Sequence, residues 1–201
     1  MDDTRGAGEG RTPTASVRSD TLGTETLEKA PCPSLVDAFG RVHVSAIPDS
    51  TPKPPPTVLT KLKKWADYES VGAPVYPTKF LPMKTPMSEE IIENWSLEHP
   101  PRHVLTVRRL IESQERAYGR KVGLIIDLAN HDCLYIEDLL EWNGGRGLGE
   151  IVEYVRVGLV AKEVPEKGVV EEVARVVREF WGRKPESYVG VHCCYGFNRT
   201  G

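Results

Sequence analysis

The chain has 201 residues, a formal net charge of −3, and apolar and charged fractions of 39% and 27%, which are ordinary for a globular protein. This length allows one domain with a tail, and the mild charge excludes a protein held on nucleic acid by its overall field. The sequence lacks a run of about eighteen apolar residues, an apolar signal segment, a disulfide framework and a CxxC metal pair, so we expect an intracellular protein of a reducing compartment without a membrane span.

The first 56 residues are predicted to lie outside the folded domain. Residues 1–35 are rich in Gly, Thr, Ser and charge, and they cannot bury enough apolar surface to offset the entropy of the chain. A short apolar stretch at residues 36–47 precedes DSTPKPPPT, whose consecutive prolines favour an extended linker. We therefore predict a disordered tail and proline-rich linker over residues 1–56 and a folded domain over residues 57–201.

The first strong helical pattern is HVLTVRRLIESQERAY, residues 103–118, in which apolar residues recur at helical spacing. Gly119 is a natural end for this helix. The next segment, KVGLIIDLAN, predicts a central strand with Asp127 near its end, where we interpret the carboxylate as structural. Residues 151–160 predict a second, weaker strand.

The segment VVEEVARVVREFWG, residues 169–182, separates apolar from charged residues at helical spacing and predicts an amphipathic helix capped by Gly182. The following SYVGV is continuously apolar, as expected of a strand buried in a parallel sheet. The order helix, strand, strand, helix, strand predicts the α/β class, with a central, mostly parallel sheet flanked by helices.

The predicted last strand leads into HCCYGFNRTG, in which five residues separate Cys193 from Arg199. Ligands of open α/β sheets bind beyond the carboxyl ends of the strands, where Cys193 stands. Successive backbone N–H groups there form a concavity for anions, and Gly196 permits conformations closed to residues with a Cβ. Arg199 can bind two phosphate oxygens through its planar guanidinium, and a helix starting after it would favour a bound anion. We call residues 193–199 the Cys193 loop.

The groups that favour an anion also favour the thiolate of Cys193. In such surroundings the pKa of a cysteine falls from about 8.5 to about 3.5–7.5. The spacing therefore predicts a nucleophile and an oxyanion clamp within one loop. Alternatively, Cys193 is a small buried residue and Arg199 a surface charge, but the appended RTG and the helix–strand unit upstream favour the first interpretation.

HCCYGFNRTG resembles the phosphate-binding loop of the cysteine-dependent phosphatases, the superfamily of protein tyrosine and dual-specificity phosphatases. It is most similar to the RNA 5′-triphosphatase domain of mRNA-capping enzymes, whose loop typically reads HCTHGFNRTG. The segments KKWADYESVGAPVYPTKFLPMKT and GLIIDLAN, and Tyr135, are similar to the same branch. The resemblance covers residues 65–201 and implies a protein tyrosine phosphatase-like fold.

The resemblance implies a role for each residue of this segment. Cys193 would attack the terminal phosphorus and form a cysteinyl-phosphate, and Arg199 would bind the equatorial oxygens. His192 would hold the thiolate and the loop, and Thr200 would donate its hydroxyl to the departing thiolate. No metal and no cofactor are implied, because Arg199 and the backbone amides take the place of a metal. The rest of the phosphate-binding loop would be Cys194, Tyr195, Gly196, Phe197 and Asn198, with Gly196 and Asn198 maintaining its shape.

Two features depart from the family pattern or leave it open. Cys194 and Tyr195 replace the usual Thr and His, and we expect their side chains to point away from the phosphate, although a disulfide between Cys194 and Cys193 could switch the enzyme off. Tyrosine phosphatases use an aspartate as general acid, whereas the loop VAKEVPEKG offers only Glu163 and Glu166. These are candidate general acids, or parts of a solvated loop. Because a triphosphate releases a diphosphate, which needs less protonation, the missing aspartate favours RNA.

We therefore expect a phosphatase with a phosphocysteine intermediate, acting as an mRNA 5′-triphosphatase in cap formation on 5′-triphosphorylated RNA. The alternatives are a dual-specificity or tyrosine phosphatase acting on phosphoproteins, and an inactive phosphate-binding fragment. The resemblance implies the nucleus, with RNA polymerase II reached through a longer capping enzyme, and otherwise the cytoplasm. Seven basic residues are candidates for contacts to RNA phosphates, although charged residues on a solvated helix face would give the same pattern. They are Lys61, Lys63, Lys64, Arg108, Arg109, Arg120 and Lys121.

The resemblance also implies helices after RTG, whereas the sequence ends at Gly201. We therefore expect the phosphatase domain to be truncated after the phosphate-binding loop and this polypeptide to release little phosphate by itself. A guanylyltransferase domain with a lysine nucleophile would follow in a longer form.

Overall fold

The computed structural model describes residues 56–96, 102–147 and 149–201. The predicted disordered tail and all but the last residue of the proline-rich linker lie outside the described residues, and those predictions stay untested.

Four parallel strands form one sheet in the order β1–β4–β2–β3. They are β1 (Phe80–Lys84), β2 (Val122–Asp127), β3 (Glu153–Arg156) and β4 (Tyr188–Cys193). Every residue of β2 is buried, as expected of the predicted central strand. The predicted α/β class with a parallel sheet and flanking helices is therefore confirmed.

Five helices accompany this sheet in the described part of the chain: α1 (Leu62–Asp67, after a short 3-10 turn), α2 (Glu89–Ser96), α3 (Val107–Tyr118), α4 (Ile136–Asn143) and α5 (Lys167–Arg183). Buried residues of α5 form a core with Leu124, Ile126 and Val189 of the sheet. The alternate residues of β2 belong to a second core that includes residues of α1 to α4. None of the helices in these ranges has the length and apolar character needed to cross a bilayer.

The predicted carboxyl end is confirmed for one of the two long helices and is wrong for the other. Thr106 caps α3 by accepting the N–H of Arg109, and Gly119 ends it in the left-handed conformation with φ of 64°, as predicted. The predicted cap at Gly182 is wrong, because α5 continues to Arg183 and ends at Lys184. Near this end, Trp181 packs on Phe80 and donates its indole N–H to the Ser187 carbonyl at 3.0 Å.

Candidate active site

Cys193 is the last residue of β4, at the carboxyl edge of the sheet. It pairs with Lys84 of β1, while the preceding His192 pairs with Asp127 of β2. Cys193 is 3% exposed and His192 is fully buried. The two central strands therefore place the predicted nucleophile at the topological position where α/β proteins bind ligands.

Gly196 lets the loop fold back against the end of β1. Its φ is 80°, and a Cβ at this position would lie 2.8 Å from the carbonyl oxygen of Met83. Next to it, the N–H of Thr85 donates to the carbonyl of Cys194 at 3.4 Å. Only glycine satisfies both the backbone angle and the close approach, so the structure supports the predicted role of Gly196 in loop shape.

The thiol of Cys193 lies at the centre of the loop. Burial by itself raises the pKa of this thiol, but the Thr200 hydroxyl and the backbone N–H groups of Arg199, Tyr195 and Gly196 interact with the sulfur and outweigh burial. The pKa of Cys193 is therefore lowered from its ordinary value. These groups stabilise a negative charge at the sulfur.

Arg199 is anchored at the carboxyl edge of the sheet. One terminal nitrogen, Nη1, donates to the carbonyls of Leu159 at 2.8 Å and Leu128 at 3.4 Å. Its Nε is buried and makes no hydrogen bond with another described residue. A bound oxyanion would supply an acceptor for this donor, whose burial without a partner is otherwise unfavourable.

The side chain of Cys194 lies beside Arg199, a contact that the sequence analysis did not predict. Its sulfur lies 3.1 Å from Nη2 of Arg199 and 3.5 Å from Nε2 of His131. Cys193 and Cys194 are both free thiols, so the disulfide considered as an alternative is not formed in this structure. Burial raises the pKa of Cys194, against the lowering effect of Arg199, so the two adjacent cysteines have pKa shifts of opposite direction.

Three buried side chains, those of His192, Tyr135 and Asp127, form a polar cluster next to Cys193. The Tyr135 hydroxyl lies 2.6 Å from Nε2 of His192, whose Nδ1 faces the Cys193 carbonyl and the Asp127 carboxylate. Because both groups near Nδ1 only accept hydrogen bonds, the proton of a neutral imidazole belongs on Nδ1, and the Tyr135 hydroxyl donates to Nε2. Burial lowers the pKa of His192, consistent with a neutral ring that fixes the end of β4.

The remaining predicted residues lie at the rim of the loop. The Asn198 side chain accepts the N–H of Lys162 at 3.2 Å, so it joins the Cys193 loop to the segment that carries Glu163 and Glu166. Both glutamates are exposed, and no hydrogen bond joins either carboxylate to the Cys193 loop within the described segments. Phe197 is 60% exposed, and Tyr195 is half-buried.

The predicted basic residues do not form one surface. Lys61, Lys63 and Lys64 are exposed in and just before α1, and the ammonium of Lys64 lies 5.0 Å from the Tyr195 ring of the loop. Arg120 instead packs on Tyr188, the first residue of β4, at the opposite edge of the sheet. The other members of the predicted patch are Arg108, beside Glu141 and Trp142, Arg109 on α3, and Lys121, next to the start of β2.

Two cavities lie away from the Cys193 loop. One, of about 130 Å³, is lined by residues at the amino ends of the strands, including Val122 and Ser187. The other, of about 540 Å³, is an open groove along α3 that includes His103 and Arg109. Neither cavity is lined by Cys193 or Arg199. We therefore assign the candidate site by the groups of the Cys193 loop that can bind an anion, and not by a cavity. Across residues 56–96, 102–147 and 149–201, no group of three or more His, Cys, Asp or Glu side chains is placed to hold a metal ion.

Sequence reasoning missed two groups at the site. His131 approaches Cys194 from the loop after β2, and its position after a strand end was the available signal. Lys84 is 1% exposed and donates to the carbonyls of Trp65, Tyr68 and His103 at 2.8–2.9 Å. A lysine inside an apolar strand was the signal for a buried ammonium of this kind.

The chain is similar to several phosphatases. It is 32% identical over 141 residues to an RNA/RNP complex-1-interacting phosphatase homolog of Caenorhabditis elegans, an alignment covering 69% of this chain and 56% of that protein. It is 30% identical over 131 residues to the mRNA-capping enzyme of the same organism, covering 61% of this chain and 18% of the enzyme. A tyrosine-protein phosphatase of Autographa californica nuclear polyhedrosis virus is 27% identical over 145 residues, an alignment covering 69% of this chain and 73% of that protein.

No protein-family model matches the chain. The chain spans about half of the length of the RNA/RNP complex-1-interacting phosphatases that it matches in nematode and rat, 56% and 44%. The alignments nonetheless join it to phosphatases of three kinds, as the resemblance of its loop predicted. These relatives are consistent with the cysteine-dependent phosphatase superfamily, near the triphosphatase domain of the mRNA-capping enzymes.

Proposed function

We propose that this chain is an RNA 5′-triphosphatase that removes the γ-phosphate of 5′-triphosphorylated RNA through a phosphocysteine intermediate. The observation that carries the proposal is the Cys193 thiol, whose pKa is lowered by Thr200 and by three backbone N–H groups beside an anchored Arg199. RNA as the substrate is supported by similarity to mRNA-capping enzymes and to phosphatases named for an RNA/RNP complex. This function belongs in the nucleus, within cap formation.

The reaction has two steps in this proposal. The Cys193 thiolate attacks the γ-phosphorus, a P–S bond forms, and the P–O bond to the diphosphate end of the RNA breaks. Arg199 binds two equatorial oxygens, and the loop N–H groups stabilise the charge that develops on them. Water then attacks the cysteinyl-phosphate and releases inorganic phosphate, while Thr200 donates to the departing thiolate.

The need for a general acid separates two classes of substrate. A tyrosine or serine leaving group must be protonated, whereas the diphosphate of a triphosphate leaves with less help. Glu163 and Glu166 remain the candidate acids, and both are exposed on a segment joined to the loop by Asn198. Within the ranges that the structure describes, neither glutamate carboxylate is held at the Cys193 loop by a hydrogen bond. The site therefore favours the triphosphate, whose leaving group needs less protonation, over a phosphoprotein.

The test is phosphate release from 5′-triphosphorylated RNA and from a phosphotyrosine peptide, measured in parallel with EDTA present. Because the Cys193 thiol and Arg199 are already in place in this chain, we expect measurable release from the RNA, and not the low release expected from the sequence alone. We also expect a decrease of roughly 10³-fold or more in Cys193→Ser because the nucleophile is lost, and phosphate covalently trapped on Cys193 after acid quenching. Cys133→Ser is the matched control thiol, because Cys133 lies outside the Cys193 loop.

Release from the peptide but not from the RNA would contradict the proposal and favour the tyrosine phosphatase alternative. Release from the RNA that persists in Cys193→Ser would contradict the phosphocysteine mechanism.

A further inference from the structure

Three aromatic rings lie together at the rim of the Cys193 loop, and we call them the aromatic cluster. Tyr195 and Phe197 belong to the loop, and Tyr68 follows α1. The Tyr68 and Phe197 centroids are 4.7 Å apart with planes inclined at 64°, and the Tyr68 and Tyr195 centroids are 5.9 Å apart at 63°. These edge-to-face contacts fix the orientation of the rings.

Phe197 is the exposed member of the aromatic cluster. It is 60% exposed although it directly follows Gly196 in the loop whose N–H groups surround the Cys193 sulfur. Packing on Tyr68 holds the ring in place, and most of its surface remains available. An ordered, exposed aromatic ring beside an anion site has the properties of a stacking surface.

Lysines lie on the same side of the loop as these rings. The ammonium of Lys64 is 5.0 Å from the centroid of Tyr195 and 6.0 Å from that of Tyr68. Lys61 and Lys63 are exposed in the same short segment. The carboxylate of Asp67, at the end of α1, attracts the buried ammonium of Lys84. Cations interleaved with aromatic rings are typical of surfaces that bind single-stranded nucleic acid, where lysines meet phosphates and rings meet bases.

We propose that the aromatic cluster, with Lys64, is a stacking platform for the first nucleobase of a 5′-triphosphorylated RNA. This inference rests on the proposed triphosphatase function and specifies how that site selects its substrate. The platform accepts any base, because every base offers a π-face, and it requires an unpaired 5′ end.

The chemistry of the two substrate classes favours the base over a phosphotyrosine ring. A phosphotyrosine ring is bonded to its phosphorus through a single oxygen, so it must follow the phosphate into the loop. A nucleobase is separated from the γ-phosphorus by two further phosphates and a ribose, and this length of chain reaches a ring at the rim. The exposure of Phe197 fits an open platform rather than an enclosing slot.

The test is binding to the Cys193→Ser chain, which does not depend on turnover. The two ligands are a single-stranded triphosphorylated RNA trinucleotide and inorganic tripolyphosphate, which has no base. In this background we add Phe197→Ala, Tyr68→Leu, Phe197→Trp and, as a matched control, Tyr118→Ala. Tyr118 is 62% exposed and ends α3, outside the Cys193 loop.

We expect Phe197→Ala and Tyr68→Leu to weaken binding of the trinucleotide by roughly 5- to 100-fold, the value of one stacked base, and to weaken tripolyphosphate by a clearly smaller factor. Phe197→Trp should restore trinucleotide affinity, and Tyr118→Ala should leave it unchanged. Equal losses for both ligands would overturn the platform, since the rings would then only support the loop.

Two further outcomes separate this inference from the proposed function. Ring-dependent binding of the trinucleotide without phosphate release by the chain with Cys193 intact would support the platform and overturn the triphosphatase function. Ring-dependent binding of a phosphotyrosine peptide, with no preference for the trinucleotide over tripolyphosphate, would overturn the platform as a nucleobase site.

Discussion

At the scale of single residues, neighbouring groups with opposite pKa shifts define the site. Thr200 and the loop N–H groups favour a charged Cys193, whereas burial favours neutral His192 and Cys194. The Cys193 loop therefore stabilises one anion, the Cys193 thiolate, next to a neutral imidazole and a neutral thiol. The sequence could predict a stabilised thiol at Cys193 and a loop glycine at Gly196, because the spacing of these residues carries the signal. It could not predict that Cys194 faces Arg199, because side-chain direction in an irregular loop depends on which neighbours are present.

The neutral state of His192 has a consequence for stability. Because burial lowers its pKa in the folded protein, the unfolded chain binds a proton near its ordinary pKa of 6.5 that the folded chain does not bind. This contribution to stability is fully present above pH 6.5 and is lost as the pH falls below it. We expect the unfolding free energy, measured with urea between pH 7.5 and 5, to decrease with a shallower slope in His192→Asn than in wild type. Parallel slopes would contradict a neutral His192.

At the scale of elements, β1 and the segment after α1 are joined by one buried ammonium. Lys84 donates to three carbonyls and lies 3.9 Å from the centroid of Trp65, whose indole N–H donates to the Thr85 carbonyl. Burial lowers the pKa of Lys84 to about 8, against the attraction of Asp67, so the ammonium remains charged at pH 7. This contact holds Tyr68 and the end of β1 beside the Cys193 loop.

We expect Lys84→Met to lower the unfolding free energy by about 2–4 kcal/mol, because one buried and two partly buried carbonyls lose a charged donor. Lys79→Met is the matched control in the same strand region. It removes an ion pair with the exposed Glu186 and should cost about 1 kcal/mol or less. Chemical denaturation of both variants measures the difference. Equal and small effects would show that the buried ammonium does not hold the two segments together.

The strength of the local apolar pattern decided which helices and strands could be predicted from the sequence. The long helices and β2 carry strong periodic or continuous apolar patterns, and they were found. The helix α4 was missed because its stability depends on partners distant in sequence: Asn143 exchanges two hydrogen bonds with Val152, and Asp138 accepts the N–H of Glu89. The predicted strand at residues 151–160 is shorter, Glu153–Arg156, since it pairs with β2 alone among the described strands.

At the scale of the whole molecule, the parallel order β1–β4–β2–β3 gathers the site from distant parts of the sequence. Lys84, Asp127 and Cys193 end three neighbouring strands, and the Cys193 loop closes over them. The resemblance of the loop predicted the fold class and the superfamily, both of which are confirmed. Periodicity alone could not give this strand order, because it does not encode which strands become neighbours.

The most direct test of the thiolate is site-resolved alkylation of the chain with iodoacetamide between pH 4 and 10, read by mass spectrometry at each cysteine. We predict that Cys193 reacts with a midpoint below the ordinary thiol value of about 8.5. Cys194 and Cys133 should react only at higher pH, because burial raises the pKa of both and brings that of Cys133 to about 12. A midpoint for Cys193 at or above about 8.5 would contradict the stabilised thiolate, and with it the proposed nucleophile.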